Sequence, residues 1–122
     1  MEDKTKISEF EQLKVWQEAQ GWAVQVYKIT SKFPSNEIYG VTSQIRRAVS
    51  SISANIAEGF GRRTNPDKLH FYSIAYGSTL ETKNFLYLSE RLGYLQSSDL
   101  ETLINQGTVV QKLLNAFMRP LK

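Results

Sequence analysis

An apolar helical stripe runs through the middle of the chain, and it constrains the fold more than any other feature. Its members recur at steps of four, three and four residues, which places them on one face of an α-helix: Ile45, Val49, Ile52 and Ile56. A second, polar row follows beside the stripe: Arg47, Ser51, Asn55, Glu58 and Arg62. A helix that only fills a core rarely needs such a row, so the segment predicts a packed helix that also carries a polar surface.

The segment before this stripe has the signals of a first helix. Ser8 and Glu11 have the spacing of a capping box, in which two side chains satisfy free N–H groups at a helix start. The apolar stripe that follows stops at Pro34, because proline cannot continue a helix. We therefore expect helix one over about residues 9–32. Helix two is expected to end near Gly59, where glycine tolerates a change of backbone direction.

Two further helices are expected after a short basic turn. Asn65 as N-cap and Pro66 at the first helical position start helix three, and Gly93 closes it. Ser98 and Glu101 form a second capping box at the start of helix four. The expected buried stripe of helix three is Phe71, Ile74, Ala75, Ser78, Phe85, Leu88 and Leu92. That of helix four is Leu100, Leu103, Ile104, Gly107, Val110, Leu114, Phe117 and Met118.

Long helices joined by short turns favour one architecture. They pack as antiparallel neighbours, so we expect an all-α protein, an antiparallel up-down-up-down four-helix bundle. Residues 1–122 form a single domain in this interpretation, with short flexible ends near 1–7 and 120–122. The alternative is a three-helix bundle with a loose fourth helix. It would leave the apolar face of helix four exposed to water.

The composition gives little support to catalysis. The 122 residues include no cysteine and one histidine, His70, so thiolate chemistry is excluded and a di-iron site built from paired Glu-x-x-His motifs cannot form. The pattern Gly59-Phe60-Gly61 follows a helix and lacks the lysine of a phosphate loop. We therefore expect a protein that is not an enzyme and that needs no metal and no cofactor.

The ends and the hydropathy of the chain indicate its compartment. Residues 1–6 carry charges of both signs, unlike a signal peptide, and no apolar run approaches the ~20 residues that a membrane helix needs. The absence of cysteine suits a reducing environment. We expect a cytoplasmic protein without a membrane partner.

Basic residues concentrate around the second helix and its two ends. The formal net charge is +3 and the isoelectric point about 9.2, values that permit nucleic-acid binding without requiring it. The candidates for an anion-binding surface are Arg62 and Arg63, supported by Arg46, Lys68 and Lys32. The alternative is a solvated helix face whose cations favour a helix C-terminus. Clustered Lys and Arg indicate such a surface but do not establish it.

The geometry of a helical hairpin suggests partners for the polar row. If helices two and three are antiparallel about a turn near Arg63, Arg47 lies beside Glu81 and Ser51 beside Ser78. These pairs could clamp the two helices through a charge-assisted bond and a hydroxyl bond. The residues nearer the turn, Asn55 and Glu58, are better placed to face RNA or another ligand, although Glu58 also has the i,i+4 spacing of a pair with Arg62.

Two helices carry apolar rows beyond their main stripes. Helix one has Val15, Trp22 and Ile29 at intervals of seven, and helix three has a row of Leu69, Tyr72, Tyr76, Leu80 and Tyr87. A wide stripe that packs against two neighbours inside one bundle would explain both rows. The other interpretation is a subunit interface rich in Tyr and Trp. Its candidate residues are Trp22, Tyr72, Tyr76 and Leu80.

Four blocks in a fixed order carry a resemblance to a known family. They lie within residues 10–19, 26–40, 44–59 and 74–81. The chain resembles the small bacterial four-helix-bundle proteins called 23S rRNA intervening-sequence proteins, or S23-type proteins, and more distantly the accessory variability proteins of retroelements. The resemblance implies a four-helix bundle that forms a homo-oligomer, in particular a ring of five subunits.

The resemblance and the residues together leave two expected functions. The first is a non-enzymatic, oligomeric accessory protein that associates with RNA or DNA, in a ribosome-related role or beside a protein partner. The alternative is an oligomeric protein-interaction module that binds no nucleic acid, whose basic residues only tune solubility. The modest charge and the position of Glu58 inside the basic region support the alternative.

Overall fold

The fold is helical throughout the part of the chain that the structure, a computed structural model, describes, namely residues 6–122. The four α-helices are α1 Lys14–Thr30, α2 Val41–Phe60, α3 Asn65–Arg91 and α4 Ser97–Met118. Three short 3-10 helices flank them, at Phe10–Gln12, Ser35–Glu37 and Arg119–Leu121. No strand occurs within residues 6–122, which confirms the all-α class. Part of the predicted flexible N-terminal end, residues 1–5, lies outside the described residues.

Each helix packs against two neighbours around one core. The packed pairs are α1 with α2, α2 with α3, α3 with α4, and α4 with α1. This arrangement is compatible with the up-down-up-down order. Helix α4 contributes Leu103, Val110, Leu114 and Met118 to the core. The alternative of a three-helix bundle with a loose fourth helix is therefore wrong.

The central stripe occupies the core as predicted. Its four members are completely buried in α2: Ile45, Val49, Ile52 and Ile56. Because these side chains lie at one face of the helix, the opposite side of α2 is free to carry the polar row. The burial of so many β-branched side chains makes this stripe the largest apolar contribution of α2 to stability.

Helix α1 differs from its predicted form at its start, and its buried face also takes in part of the additional apolar row. It begins at Lys14 rather than near Glu9, because residues 10–12 form a 3-10 helix. The expected box of Ser8 and Glu11 is replaced by Gln12, whose Oε1 accepts the backbone N–H groups of Ser8 and Glu9. The buried face is Val15, Ala19, Trp22, Val26 and Thr30. The row that contains Val15 and Trp22 is thus the core face of α1.

The ends of α3 and α4 were predicted with mixed success. Thr64 rather than Asn65 caps α3, because its Oγ1 accepts the N–H of Asp67 at 3.3 Å. Helix α4 begins at Ser97 after Gln96, which provides no side-chain cap, so the second capping box is absent. Gly93 ends α3 as predicted. Its φ of 82° lies in the left-handed region, which glycine adopts without a steric cost.

The buried face of α3 is the main correction to the sequence-based prediction. It consists of Tyr72, Ala75, Thr79, Thr82, Leu86 and Ser89, and of the expected stripe only Ala75 belongs to it. Three of its hydroxyls donate to the carbonyl four residues earlier, so polar side chains can lie in the core with their bonds satisfied. Tyr72 and Leu86 are the large apolar residues of this buried face, and five other large apolar residues along α3 and at its C-cap are exposed. We call the exposed set the α3 outer row: Ile74, Leu80, Tyr87, Leu88 and Leu92.

Two glycines allow helices to approach closely. A Cβ at Gly59 in α2 would lie 2.5 Å from the Tyr72 ring of α3, and one at Gly107 in α4 would lie 2.5 Å from the Trp22 ring of α1. Both rings are almost completely buried and have no room to move away. The absent side chains therefore make space for the two largest aromatic residues of the core.

Truncation of a core residue tests the central stripe. Ile52→Ala is expected to lower the free energy of unfolding by about 2–5 kcal/mol, because it leaves a cavity at a completely buried position. Urea unfolding followed by circular dichroism measures the change. The matched control is Val109→Ala on the exposed side of α4, where we expect less than about 0.5 kcal/mol. Equal effects of the two substitutions would contradict the observed packing.

The close approach of α2 and α3 gives a second test with an internal control. Gly59→Ala should destabilise the protein by about 1–3 kcal/mol, because the added methyl group overlaps the immobile Tyr72 ring. Gly77→Ala in α3 meets no atom within 4 Å and should stabilise the protein by about 0.5–1 kcal/mol through helix propensity. Thermal melting of the two variants compares them directly. Stabilisation by Gly59→Ala would show that the helices are farther apart.

Candidate nucleic-acid interface

Lys68 lies at the basic turn between α2 and α3, where it holds the end of α2. Its Nζ donates hydrogen bonds to the carbonyl oxygens of Phe60, at 2.8 Å, and Gly59, at 3.3 Å. Carbonyl groups in the last turn of a helix lack partners within the helix, and a cation there also interacts favourably with the helix dipole. Lys68 is therefore part of the folded scaffold as well as a positive charge at this end.

The two arginines of the turn differ in how freely they can bind a ligand. Arg62 forms an ion pair with Glu58 at 3.0 Å, and its guanidinium lies 4.5 Å from the centre of the Phe71 ring. Arg63 is exposed, and within residues 6–122 its side chain makes no hydrogen bond or ion pair. Arg62 is thus held in place by two contacts. Arg63 has no such contact to break before it binds a phosphate.

The other two basic candidates lie far from the turn. Arg46 donates from Nε to the Thr30 Oγ1 at 2.9 Å and from Nη2 to the Tyr27 carbonyl at 3.2 Å, and thereby caps the end of α1. Sixteen residues separate Arg46 from Arg62, about 24 Å along a helix. Lys32 is exposed near the end of α1 and lines a cleft against α4. The five predicted cations therefore form two groups at opposite ends of α2, not one surface.

The C-terminus supplies basic residues that sequence reasoning missed. Phe117 packs on Tyr72 with 4.8 Å between ring centres, and the 3-10 helix Arg119–Leu121 contacts α3. Arg119 and Lys122 therefore reach the end of the bundle that holds the α2–α3 turn. We call this set the basic end: Arg62, Arg63, Lys68, Arg119 and Lys122. In the sequence its two parts are more than fifty residues apart, so only the packing of α4 on α3 shows that they belong together.

The polar row of α2 makes the pairs that hairpin geometry predicted. Arg47 Nη2 contacts Glu81 Oε1 at 3.0 Å, and the Ser78 hydroxyl donates to the Ser51 hydroxyl at 3.0 Å. Asn55 bonds within α2, to the carbonyl and the hydroxyl of Ser51. The four residues of the two pairs thus form the expected clamp between α2 and α3. Arg47 and Glu81 are partly exposed, so their ion pair is expected to contribute only about 0.2–1 kcal/mol.

The predicted interface residues divide between the core and the surface. Trp22 and Tyr72 are 1% exposed within the single chain, which corrects the expectation that they contact another subunit. For these two residues the other interpretation is correct, namely a wide apolar stripe that packs against two neighbouring helices inside one bundle. Leu80 is 45% exposed and belongs to the α3 outer row. Tyr76 is half-buried.

A polar network joins α3 to α4 around Tyr76. Gln111 Nε2 donates to the Tyr76 hydroxyl, and Lys83 Nζ donates to Gln111 Oε1 and to Thr108 Oγ1. Hydrogen bonds from Gln111, and then from Asn115, lower the pKa of Tyr76, and burial lowers the pKa of Lys83. Lys83 has no carboxylate within 4.0 Å among residues 6–122. The only signal in the sequence is that Tyr76 and Lys83 lie seven residues apart on one helix face.

The described part of the chain holds no grouping of side chains typical of a metal centre. Residues 6–122 contain no cluster of three or more His, Cys, Asp and Glu side chains. His70 is exposed and lies edge-on to Phe71, at 5.2 Å between ring centres. No helix among these residues combines the length and apolar character needed to span a bilayer. The basic end brings positive charges together, and clustered positive charges in general attract anions.

Comparison with known proteins identifies the family. A model of the 23S rRNA-intervening sequence protein family matches residues 11–116, which is most of the chain. The chain belongs to this family. The 23S rRNA-intervening sequence protein match covers α1, α2 and α3 completely and ends within α4, so Arg119 and Lys122 lie beyond it.

A solved structure agrees with this assignment. The chain is similar to a crystal structure of a protein with unknown function from the S23 ribosomal protein family of Bacteroides thetaiotaomicron, with 27% sequence identity and a TM-score of 0.77. The similarity covers 85% of this chain and 97% of that one. No curated protein matches the chain significantly. The resemblance drawn from the four sequence blocks is therefore confirmed at the level of family and helical fold.

Proposed function

We propose that this chain is a non-enzymatic, cytoplasmic accessory protein that associates with RNA or DNA through the basic end. In this proposal it is an antiparallel up-down-up-down bundle that assembles into a homo-oligomer. The observation that carries the proposal is the convergence of five cations on one end of the bundle. Within residues 6–122, three of them make no side-chain hydrogen bond or ion pair: Arg63, Arg119 and Lys122.

The chemistry of the basic end fits a phosphate backbone better than a base edge. Unpaired guanidinium and ammonium groups contact phosphates without reading sequence. The aromatic rings nearby, Phe60 and Phe71, lie beneath Lys68 and Arg62, where cations already cover them. The family's name, which refers to 23S rRNA, supports RNA as the nucleic acid. The proposal is therefore binding to RNA with little sequence preference, in a ribosome-related role.

Self-association would strengthen such binding. The α3 outer row exposes five large apolar residues on one helix, more than a solvated helix face normally carries. The family resemblance implies a ring, so we propose a pentamer in which this row contacts the neighbouring subunit. Several basic ends in one assembly would bind one RNA through a raised effective concentration.

The second function to be considered is a protein-interaction module that binds no nucleic acid. Lys68 and Arg62 at the basic end, and Arg46 at the other end of α2, are each engaged by groups of the same chain. These contacts give the cations a structural role that needs no RNA. In this case the α3 outer row would be the functional surface, and its partner would be a second copy or another protein.

Neutralising the basic turn tests the proposed RNA contact. Arg62→Gln combined with Arg63→Gln is expected to weaken binding to every RNA and DNA sequence. The plot of log affinity against log salt should become shallower by about 0.7 for each lost contact to a single strand, because fewer counterions are released. Fluorescence anisotropy with a short labelled RNA, measured over a salt series, gives both values.

A single pair of variants provides the control for this test. Arg63→Gln removes a cation from the basic end, whereas Arg91→Gln removes an exposed cation from the last turn of α3. We expect an effect on RNA affinity only from the first. If native protein binds no nucleic acid at low salt, or if both variants bind as tightly as native protein, the interaction module replaces the proposed function.

Size-exclusion chromatography with light scattering tests the assembly. Leu88→Asp places a charge in the α3 outer row and should convert the oligomer to a monomer that keeps its helical circular dichroism, because an unpaired buried charge is costly. Val24→Asp introduces the same charge at an exposed apolar residue of α1 and should leave the oligomer intact. A native chain that is monomeric at micromolar concentration would refute the assembly.

A further inference from the structure

A polar cleft separates the second half of α1 from the first half of α4, at the end of the bundle away from the basic end. Its volume is about 250 Å³. Ile29 and Leu103 form its apolar part. An adjoining depression of about 240 Å³ shares Ile29, Lys32 and Asp99 with it and continues to the turn before α4. The two depressions therefore form one trench beside the first turns of α4.

The polar side chains of the cleft are not paired with one another. Lys28, in the last turn of α1, and Lys32, in the turn just after α1, line the cleft together with Asp99 of α4, and Gln25 and Gln106 also line it. Among residues 6–122, neither lysine has a carboxylate oxygen within 4.0 Å. At the other interfaces between helices, by contrast, the polar side chains bond directly, as Ser78 does to Ser51.

Gln106 contributes a buried hydrogen-bond acceptor to the lining of the cleft. Its Oε1 is buried and has no hydrogen-bond partner in the described part of the chain. A buried acceptor without a donor costs about 1–3 kcal/mol. Turning the amide toward a molecule in the cleft would therefore break no bond at that oxygen, and a hydroxyl or amino group could satisfy it.

We propose that this cleft binds the terminal phosphomonoester of a ribonucleotide. A phosphomonoester carries a charge of about −1.5 to −2 at neutral pH, which matches the two ammonium groups of Lys28 and Lys32. A phosphodiester of an RNA chain carries only one negative charge. The only carboxylate that lines the cleft, Asp99, accepts a hydrogen bond from a sugar hydroxyl. Acidic residues have the same role in dinucleotide-binding sites. Gln25 and Gln106 bond to the sugar or the edge of the base.

The size and lining of the cleft favour this ligand over simpler anions. Its volume of about 250 Å³ lies just below the ~300–1,000 Å³ typical of small-molecule pockets, which favours a small ligand over a large cofactor. An inorganic phosphate would leave Gln25, Gln106 and Asp99 without a role. A fatty acid would place an apolar chain among amides and charges, at the cost of their desolvation.

Isothermal titration calorimetry of the full-length protein in its native assembly tests the site. The probes are a nucleoside 5′-monophosphate, ribose 5-phosphate, inorganic phosphate and the unphosphorylated nucleoside. We expect the first two to bind, inorganic phosphate to bind at least about tenfold more weakly, and the nucleoside not to bind. Equal affinity for inorganic phosphate and ribose 5-phosphate would overturn the proposal, as would no binding of any probe at millimolar concentration.

Three variants assign the binding to the cleft. Lys28→Gln combined with Lys32→Gln should weaken the monophosphate about ten- to hundredfold, since hydrogen bonds to charged groups are among the strongest. Gln106→Leu should reduce the preference for ribose 5-phosphate over inorganic phosphate. Lys112→Gln is the control, because this exposed lysine of α4 does not line the cleft. Unchanged binding in the double lysine variant would refute the site.

Competition identifies the source of the phosphomonoester. If the natural ligand is an RNA end, an RNA with a 5′-phosphate displaces the monophosphate and the same RNA with a 5′-hydroxyl does not. If neither RNA competes, the ligand is a free nucleotide. The site does not depend on the proposed function: Arg62→Gln with Arg63→Gln should leave monophosphate binding unchanged. The two conclusions, RNA binding at the basic end and monophosphate binding in the cleft, are separate if each double variant loses only one activity. The arginine variant should lose only RNA binding, and the lysine variant should lose only monophosphate binding.

Discussion

The close contact between α2 and α3 is the constraint on which the rest of the structure depends. Gly59 leaves room for the Tyr72 ring, and Ser51 and Ser78 are small enough for their hydroxyls to meet. Once the two helices are this close, the side chains between them must be short, and α3 meets this need with Ala75, Thr79 and other small residues. Because the Thr79 hydroxyl bonds to the Ala75 carbonyl of its own helix and the Ser78 hydroxyl bonds to Ser51 across the contact, the polar groups are satisfied without apolar bulk.

The same contact explains why the functional surfaces lie where they do. The hairpin is tight, so the turn that joins its helices is short and Arg62, Arg63 and Lys68 are concentrated within a few residues. Helices α1 and α4 are packed less closely in this region, so the polar cleft lies open between them. A bundle with four equally tight interfaces would offer neither the cleft nor an outward-facing apolar row.

Sequence periodicity predicted α2 well because that helix obeys the usual rule of apolar inside and polar outside. The stripe of Ile52 and its neighbours and the buried face of α4 followed from spacing alone, and the pairing of Arg47 with Glu81 followed from assuming an antiparallel hairpin of helices two and three. The helical class and the family were also available from the sequence. Each of these results depends on residues that interact with their nearest helical neighbours.

The misplaced predictions share a physical cause. On α3 several large apolar residues are exposed while threonines are buried, so assigning the most apolar face to the core selects Ile74 and Leu88 and misses Thr79. The grouping of Arg62 with Arg119, and of Lys28 with Asp99, depends on which helices become neighbours in space. Spacing along one helix contains no information about that. Trp22 was misassigned because the core face of α1 is wide enough to include Val15 and Trp22 beside Ala19 and Val26.

A partner that covers the α3 outer row would make the stability of this protein depend on the concentration of that partner. Any partner that covers this row binds the folded chain and not the unfolded one, so by mass action it adds a stabilising term that grows with the logarithm of partner concentration. If that partner is another copy, dilution alone lowers the melting temperature. The concentration of the chain in the cell would then set its resistance to proteolysis. Newly made chains would reach full resistance only after enough of them had accumulated to associate.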